Sequence, residues 1–177
     1  MLVAINDLGE RVLASNATKD KKYYCPVCNE DVILKQGKTN ITHFAHKSCE
    51  CTDNWQYDMS EWHINMQSYF DKIYQEVVIT RNGKKHRADI LKDRIVVEFQ
   101  HSPISSKEFM DRNKFYVSAG LKVIWVFDVT KQIDNGQLEW NYNKDNMMKW
   151  KQPLRILWNT KKPDRKNDVC QSFLKMS

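Results

Sequence analysis

Two clusters in this 177-residue chain have the residue types and spacing that chemistry requires. In the first, Cys25-Pro-Val-Cys28 is followed by a short β-type run from Asp31 to Lys35, a turn at Gly37, a second run near Ile41, and then His43-Phe-Ala-His46. Ligand pairs separated by a hairpin hold Zn²⁺ tetrahedrally in a zinc knuckle, so Cys25, Cys28, His43 and His46 are the predicted ligands. The gap between the two histidines is shorter than the roughly three to five residues usual in such sites, which makes Cys49 and Cys51 alternative ligands. No position is left open for water, so this metal is expected to be structural. In the second cluster, two β-type runs, His86 to Leu91 and Ile95 to Gln100, meet at the polar turn Lys92-Asp93-Arg94. Asp89 lies in the first run, and Glu98 and Gln100 emerge on one face of the second, because side chains alternate along a strand. Carboxylates among apolar neighbours cost folding energy unless a cation or hydrogen bonds compensate them. Hard oxygen ligands of this kind suit Mg²⁺ or Mn²⁺ rather than zinc, whereas the alternative is an ion network with Arg87, Arg94 or Arg112.

The elements that must position these residues are legible around them. Met1 to Tyr24 reads as a small hairpin with a turn at Asp7-Leu8-Gly9-Glu10. From Ser60, a plausible N-cap, the residues Trp62, Met66, Tyr69 and Ile73 recur at helical spacing and predict an amphipathic helix of about four turns, with Glu61 and His63 in its first turn. Glu76-Val-Val-Ile79 is a strand turned at Asn82-Gly83 into the run that carries Asp89. Ser105 and Glu108 form a capping box, Ile104 can staple against Phe109, and Gly120 stops the helix. Lys122-Val-Ile-Trp-Val-Phe127 is a continuous apolar run, as in a strand covered on both faces. A strand, a crossover helix and a buried strand predict a parallel β-α-β unit.

Composition narrows the class. Four of the five cysteines (Cys25, Cys28, Cys49, Cys51) crowd beside two histidines, which favours metal over a disulfide framework. No apolar run approaches the roughly 20 residues needed to cross a bilayer, and Met1 to Asp7 is too short and uncharged at its start for a signal peptide. The expectation is a cytoplasmic protein with no membrane partner. From Lys144 onward nine Lys/Arg stand against three Asp/Glu, which accounts for the whole net charge of +6. A basic end of this kind suits phosphate backbones, and a solvated tail gives the same charge pattern.

The α-β-β-β-α-β order, with Asp on the second strand and Glu-x-Gln on the third, resembles the core of the PD-(D/E)XK nuclease superfamily. Cys25-Pro-Val-Cys28, His43-Phe-Ala-His46, Glu61-Trp-His63, Arg87-Ala-Asp89, Glu98-Phe-Gln100-His-Ser102 and Arg112-Asn113 with Tyr116 together resemble the competence protein CoiA-like family. The resemblance implies an α/β (α+β) restriction-endonuclease-like core, a mixed sheet flanked by helices, over residues 59–128. A zinc-ribbon-like module over 1–58 would precede it, and a basic, aromatic extension over 129–177 would pack on it. It implies a Mg²⁺- or Mn²⁺-dependent DNA nuclease with structural Zn²⁺, in which Asp89 and Glu98 bind the metal and Glu61 and Gln100 complete the catalytic set. Gln100 stands where the superfamily often has lysine; a glutamine can position by hydrogen bonds but cannot stabilise charge as a cation does. The alternative expectation is therefore a non-catalytic, zinc-containing nucleic-acid-binding protein with an inactive nuclease core.

Overall fold

The computed structural model describes residues 1–37, 41–47, 51, 53, 55, 60–140, 148–150 and 170–172. The chain divides into two compact units, Met1–Met59 with Phe70–Leu91, and Ser60–Tyr69 with Lys92–Ser177. Of the basic, aromatic extension expected over 129–177, residues 141–147, 151–169 and 173–177 lie outside the described residues.

In the first unit, β1 (Val3–Asn6), β2 (Arg11–Leu13), β3 (Tyr23–Tyr24), β4 (Asp31–Lys35) and β5 (His43–His46) form an antiparallel sheet in the order β2-β1-β3-β4-β5. The hairpin expected at the N-terminus is present. Gly9 takes a φ of 77°, and the Asn6 side-chain oxygen accepts from the Leu8 and Glu10 amides to shape the turn. Along β4 the pattern is strict: Val32 and Leu34 are buried while Asp31, Ile33 and Lys35 face out. The buried side join Ala4, Ala14, Tyr23, Cys25, Val27 and Phe44 in one small core. Two longer strands follow, β6 (Gln75–Arg81) and β7 (Lys84–Lys92), paired antiparallel across Asn82-Gly83. Both turn residues have positive φ, 50° and 73°, as a two-residue hairpin turn of this hand requires.

Two buried carboxylates, unremarked in the sequence, lock this unit together. Glu76 adopts a left-handed φ of 48° and accepts the Leu2 and Val3 amides, at 2.9 and 3.1 Å, which fixes the start of the chain. Asp53 accepts the Trp55 and Arg87 amides and pairs with His86 Nδ1 at 3.0 Å, while the Trp55 ring stacks on the His86 ring at 3.4 Å. Burial works to raise the Asp53 carboxyl, but the bonds from His86 and the two amides outweigh it and hold it below the ordinary 3.8. Since the folded state keeps the proton off, this contribution is complete above the ordinary carboxyl value and is lost as the pH falls below it. Asp53→Ala should cost roughly 3 kcal/mol at neutral pH by orphaning buried donors. For a chain of this size that lowers the melting temperature by about 10 °C, and the gap from wild type should narrow in melts below about pH 4.

In the second unit the first element is α1 (Glu61–Ser68), capped by the Ser60 hydroxyl, which accepts from the His63 amide. The expected four turns shrink to eight residues. Tyr69 and Ile73, which extended the apolar spacing, are 65% and 70% exposed, and the Ser68 hydroxyl bonds back to the Asn65 carbonyl at the helix end. Next come β8 (Ile95–Gln100), α2 (Ser106–Ser118) and β9 (Lys122–Phe127); β8 and β9 run parallel from Ile95↔Lys122 to Gln100↔Phe127. The helix limits are as expected, with the Ser105 hydroxyl accepting from the Glu108 amide and Gly120 at a φ of 74° just beyond the end. The apolar run in β9 buries Val123, Trp125 and Val126, with the Trp125 ring 4.8 Å from that of Phe109 on α2. Then follow α3 (Thr130–Asp134), β10 (Leu138–Trp140) paired antiparallel with β11 (Met148–Trp150), and β12 (Cys170–Ser172) parallel to β9. The order α1-β6-β7-β8-α2-β9 is the one expected, and the architecture is mixed α/β.

Candidate metal centre and nuclease-like site

The first unit brings together Cys25, Cys28, His46 and Cys51, one ligand atom from each lying within 4.8 Å of the others. Local sequence builds half of this centre. Asn29, at a left-handed φ of 63°, lets its amide return to the Cys25 carbonyl at 2.9 Å, and the Val27 amide points at Cys25 Sγ. The other half comes from the end of β5 and from Cys51. Cys25 Sγ lies 3.7 Å from Cys51 Sγ, and Cys28 Sγ lies 3.3 Å from His46 Nε2. The sulfur pair is too far apart for a disulfide, whose bond is about 2.05 Å, but matches the edge of about 3.8 Å in a tetrahedron of zinc–sulfur bonds.

The donor set of three thiols and one imidazole fits Zn²⁺ in a closed structural site. Burial pushes the Cys25 thiol up to about 12 and raises that of Cys51, while burial and the Arg87 charge lower His46. A neutral imidazole is the form that ligates. His43, predicted with the other three, lies outside this group, whose fourth member is Cys51, one of the alternatives that the sequence offered. Residues three apart on a strand face opposite sides, so with His46 directed at the cysteines His43 turns away, its Nδ1 2.8 Å from the Ile41 carbonyl. Cys49 lies outside the described residues.

The other predicted site residues divide between the units. Asp89 is half-buried on β7 in the first unit, on the same strand face as Arg87. The Arg87 guanidinium is raised despite its burial by Glu76, Asp53 and Asp89. In the second unit, Glu98 is 2% exposed, with Oε2 accepting from Arg112 Nη1 at 2.9 Å and Oε1 from the Tyr116 hydroxyl at 2.7 Å. Arg112 also grips Glu108 Oε1 through Nε and Nη2. Burial works to lower the Arg112 guanidinium, and Glu98 and Glu108 outweigh it. Gln100 is buried beside Glu98 on the same face and donates its amide to the Ser102 carbonyl at 2.6 Å. Glu61 stands exposed at the first position of α1, which packs on the opposite face of β8 through Trp62 and His63 against Phe99. Glu61 therefore belongs to one face of β8, and Glu98 with Gln100 to the other.

As donors, Asp89 and Glu98 suit a hard divalent cation, and carboxylates that ligate metals are commonly oriented by outer hydrogen bonds of the kind Arg112 and Tyr116 supply. Access is a different matter. A cation that keeps several waters needs an open carboxylate, whereas Glu98 is enclosed and its charge is met by Arg112. The donor type fits; the closure of Glu98 in this arrangement does not.

One further pair went unassigned in the sequence. His101 directly follows β8 and Asp128 directly follows β9, and His101 Nδ1 lies 2.7 Å from Asp128 Oδ2. The other carboxylate oxygen accepts from the Thr130 amide and hydroxyl at 3.0 and 2.7 Å. Burial works to raise the Asp128 carboxyl, but these bonds hold it below its ordinary value. The parallel register that ends at Gln100↔Phe127 places these two residues side by side. That was deducible once the strand ends and their direction were known.

Residues 8–54 match the family model for the competence protein CoiA N-terminal domain, and residues 36–175, most of the chain, match that for the competence protein CoiA nuclease-like domain. No curated protein and no solved structure matches the chain significantly. No helix among the described residues is long and apolar enough to cross a membrane.

Proposed function

We propose that this chain, which belongs to the competence protein CoiA family, is a nuclease that hydrolyses phosphodiester bonds of DNA with the help of Mg²⁺ or Mn²⁺. The observation that carries the reading is the match of residues 36–175 to the family's nuclease-like domain. The Arg87-Ala-Asp89 segment on β7 and Glu98-Phe-Gln100 on β8 agree with it. A divalent ion would polarise the phosphate and lower the pKa of a bound water. Asp89 and Glu98, at the family's motif positions, are the residues assigned to it. Within the second unit, Arg112 and Tyr116 hold the Glu98 carboxylate in one orientation, and Gln100 is held at the end of the same strand. Glu61, exposed at the start of α1, is assigned an auxiliary acidic role. The N-terminal metal centre supports the fold and takes no part in the reaction.

A second reading, a DNA-binding protein whose nuclease core is inactive, draws on specific observations. Glu98 is closed in by Arg112 and Tyr116, and the amide of Gln100 is committed to the Ser102 carbonyl. Incubation of linear, nicked and single-stranded DNA with Mg²⁺ or Mn²⁺ separates the two. The nuclease reading expects cleavage that chelation abolishes and that Asp89→Ala lowers by at least about a hundredfold, the scale of losing one transition-state stabiliser, with DNA binding retained. Asp89 is the better probe because substituting Glu98 also disturbs a buried arginine. Binding without cleavage of any DNA form, with either metal, would make the core inactive.

A further inference from the structure

We infer that His101, held by Asp128, is the proton carrier of this hydrolysis, an assignment that rests on the nuclease reading above. Both residues stand one position beyond the last paired residues of two parallel strands. The carboxyl ends of such strands are where α/β sheets bind ligands. Asp128 is built to orient a ring. Oδ1 is fixed by the Thr130 amide and hydroxyl, which leaves Oδ2 for His101 Nδ1. An ionised carboxylate only accepts, so Nδ1 carries the hydrogen, and in the neutral ring Nε2 presents its lone pair. The Asp128 side chain is 11% exposed and that of His101 37%, so the anchor is sheltered and the imidazole is partly open to solvent. Among the described residues Nε2 has no hydrogen-bond partner. The Trp62 ring backs the imidazole at 6.1 Å, which places His101 beside α1, the helix that carries Glu61, and not with the Gln100 side chain, which faces the other way. A carboxylate and the imidazole that it orients are the orienter and base of acid–base catalysis.

In the step assigned to it, His101 Nε2 takes a proton from the attacking water as the water oxygen bonds to phosphorus. The bond from phosphorus to the leaving sugar oxygen breaks with its electron pair, and that oxygen is protonated from the imidazolium or from solvent. The products are a phosphate monoester and a sugar hydroxyl, and His101 returns to its starting form. No oxidant or further reactant is needed.

The test compares cleavage of DNA by wild type, His101→Gly, His101→Gln and Asp128→Asn in the full chain, with and without added imidazole. Zinc content and melting temperature report whether each variant is folded. His101→Gly and His101→Gln should lose about 10²–10⁴-fold in rate, the usual contribution of a positioned acid–base group. Asp128→Asn should lose less, and imidazole should restore His101→Gly at least tenfold without restoring His101→Gln. If wild type cuts and His101→Gly stays within threefold of it, or loses activity that imidazole does not restore while the melting temperature falls, the pair is a strand-end clamp and the inference fails alone. If wild type cuts no DNA, the nuclease reading itself fails and the inference goes with it.

Discussion

Cys51→Ser should leave the purified protein without zinc and with β3, β4 and β5 no longer protected, whereas His43→Ala should keep one zinc ion per chain and the wild-type melt. The expectation follows from how little else holds that sheet. Its strands are two to five residues long and its core is small, with Cys25 buried in it and Cys28 and Cys51 packed against it. Small modules of this size usually need a metal or a disulfide to remain folded, and the 3.7 Å sulfur separation excludes the disulfide. Structural zinc contributes roughly 10–16 kcal/mol in small zinc-binding folds, so loss of one thiolate ligand outweighs any other single change to the first unit. Burial holds the Cys25 thiol at about 12, so at neutral pH the metal-free protein carries thiol protons that zinc must displace. Titration of the stripped protein with zinc in weak buffer should therefore release protons, in step with the return of amide protection. Retained zinc in Cys51→Ser, or lost zinc in His43→Ala, would put the fourth ligand back on β5.

The same centre marks the limit of what the sequence disclosed. Cys25-x-x-Cys28 closes its own turn, so its role was legible locally. The choice between His43 and Cys51 depended on which way β5 faces, because an odd spacing along a strand cannot put both histidines on one ion. The α2 limits were legible for the same local reason: Ser105, Glu108 and Gly120 act on backbone groups within a turn of themselves. The continuous apolar run of β9 likewise named a doubly covered strand. Helix α1 was overrun because Tyr69 and Ile73 keep helical spacing, yet nothing buries them. Asp53 and Glu76 were missed because their partners are amides 34 and 74 residues away. His101 and Asp128 stand 27 residues apart, and only the parallel register of β8 and β9 joins them. For Glu98 the sequence offered both a cation and Arg112 as partners, and Arg112 Nη1 lies 2.9 Å from its Oε2.

That contact makes Arg112→Leu the most damaging change expected in the second unit. Arg112 is buried under α2, with its guanidinium carbon 5.8 Å from the centre of the Trp125 ring and its donors on Glu98 and Glu108. Removing it leaves the Glu98 carboxylate enclosed without its cation, and breaking one side of a buried ion pair costs roughly 3–5 kcal/mol. Tyr116→Phe, which removes one hydroxyl donor from the same carboxylate, should cost about 1–3 kcal/mol. The double change Glu98→Leu with Arg112→Leu should be less harmful than the sum of the two single changes, because a buried pair replaced whole by apolar groups is often tolerated. Chemical denaturation of the four proteins closes this cycle. Strict additivity would mean that the 2.9 Å contact carries no coupling. A large coupling would mean that Glu98 is fixed chiefly by the fold, so that any cation it binds must be taken on the lone pairs Arg112 and Tyr116 leave to it, or after α2 has shifted.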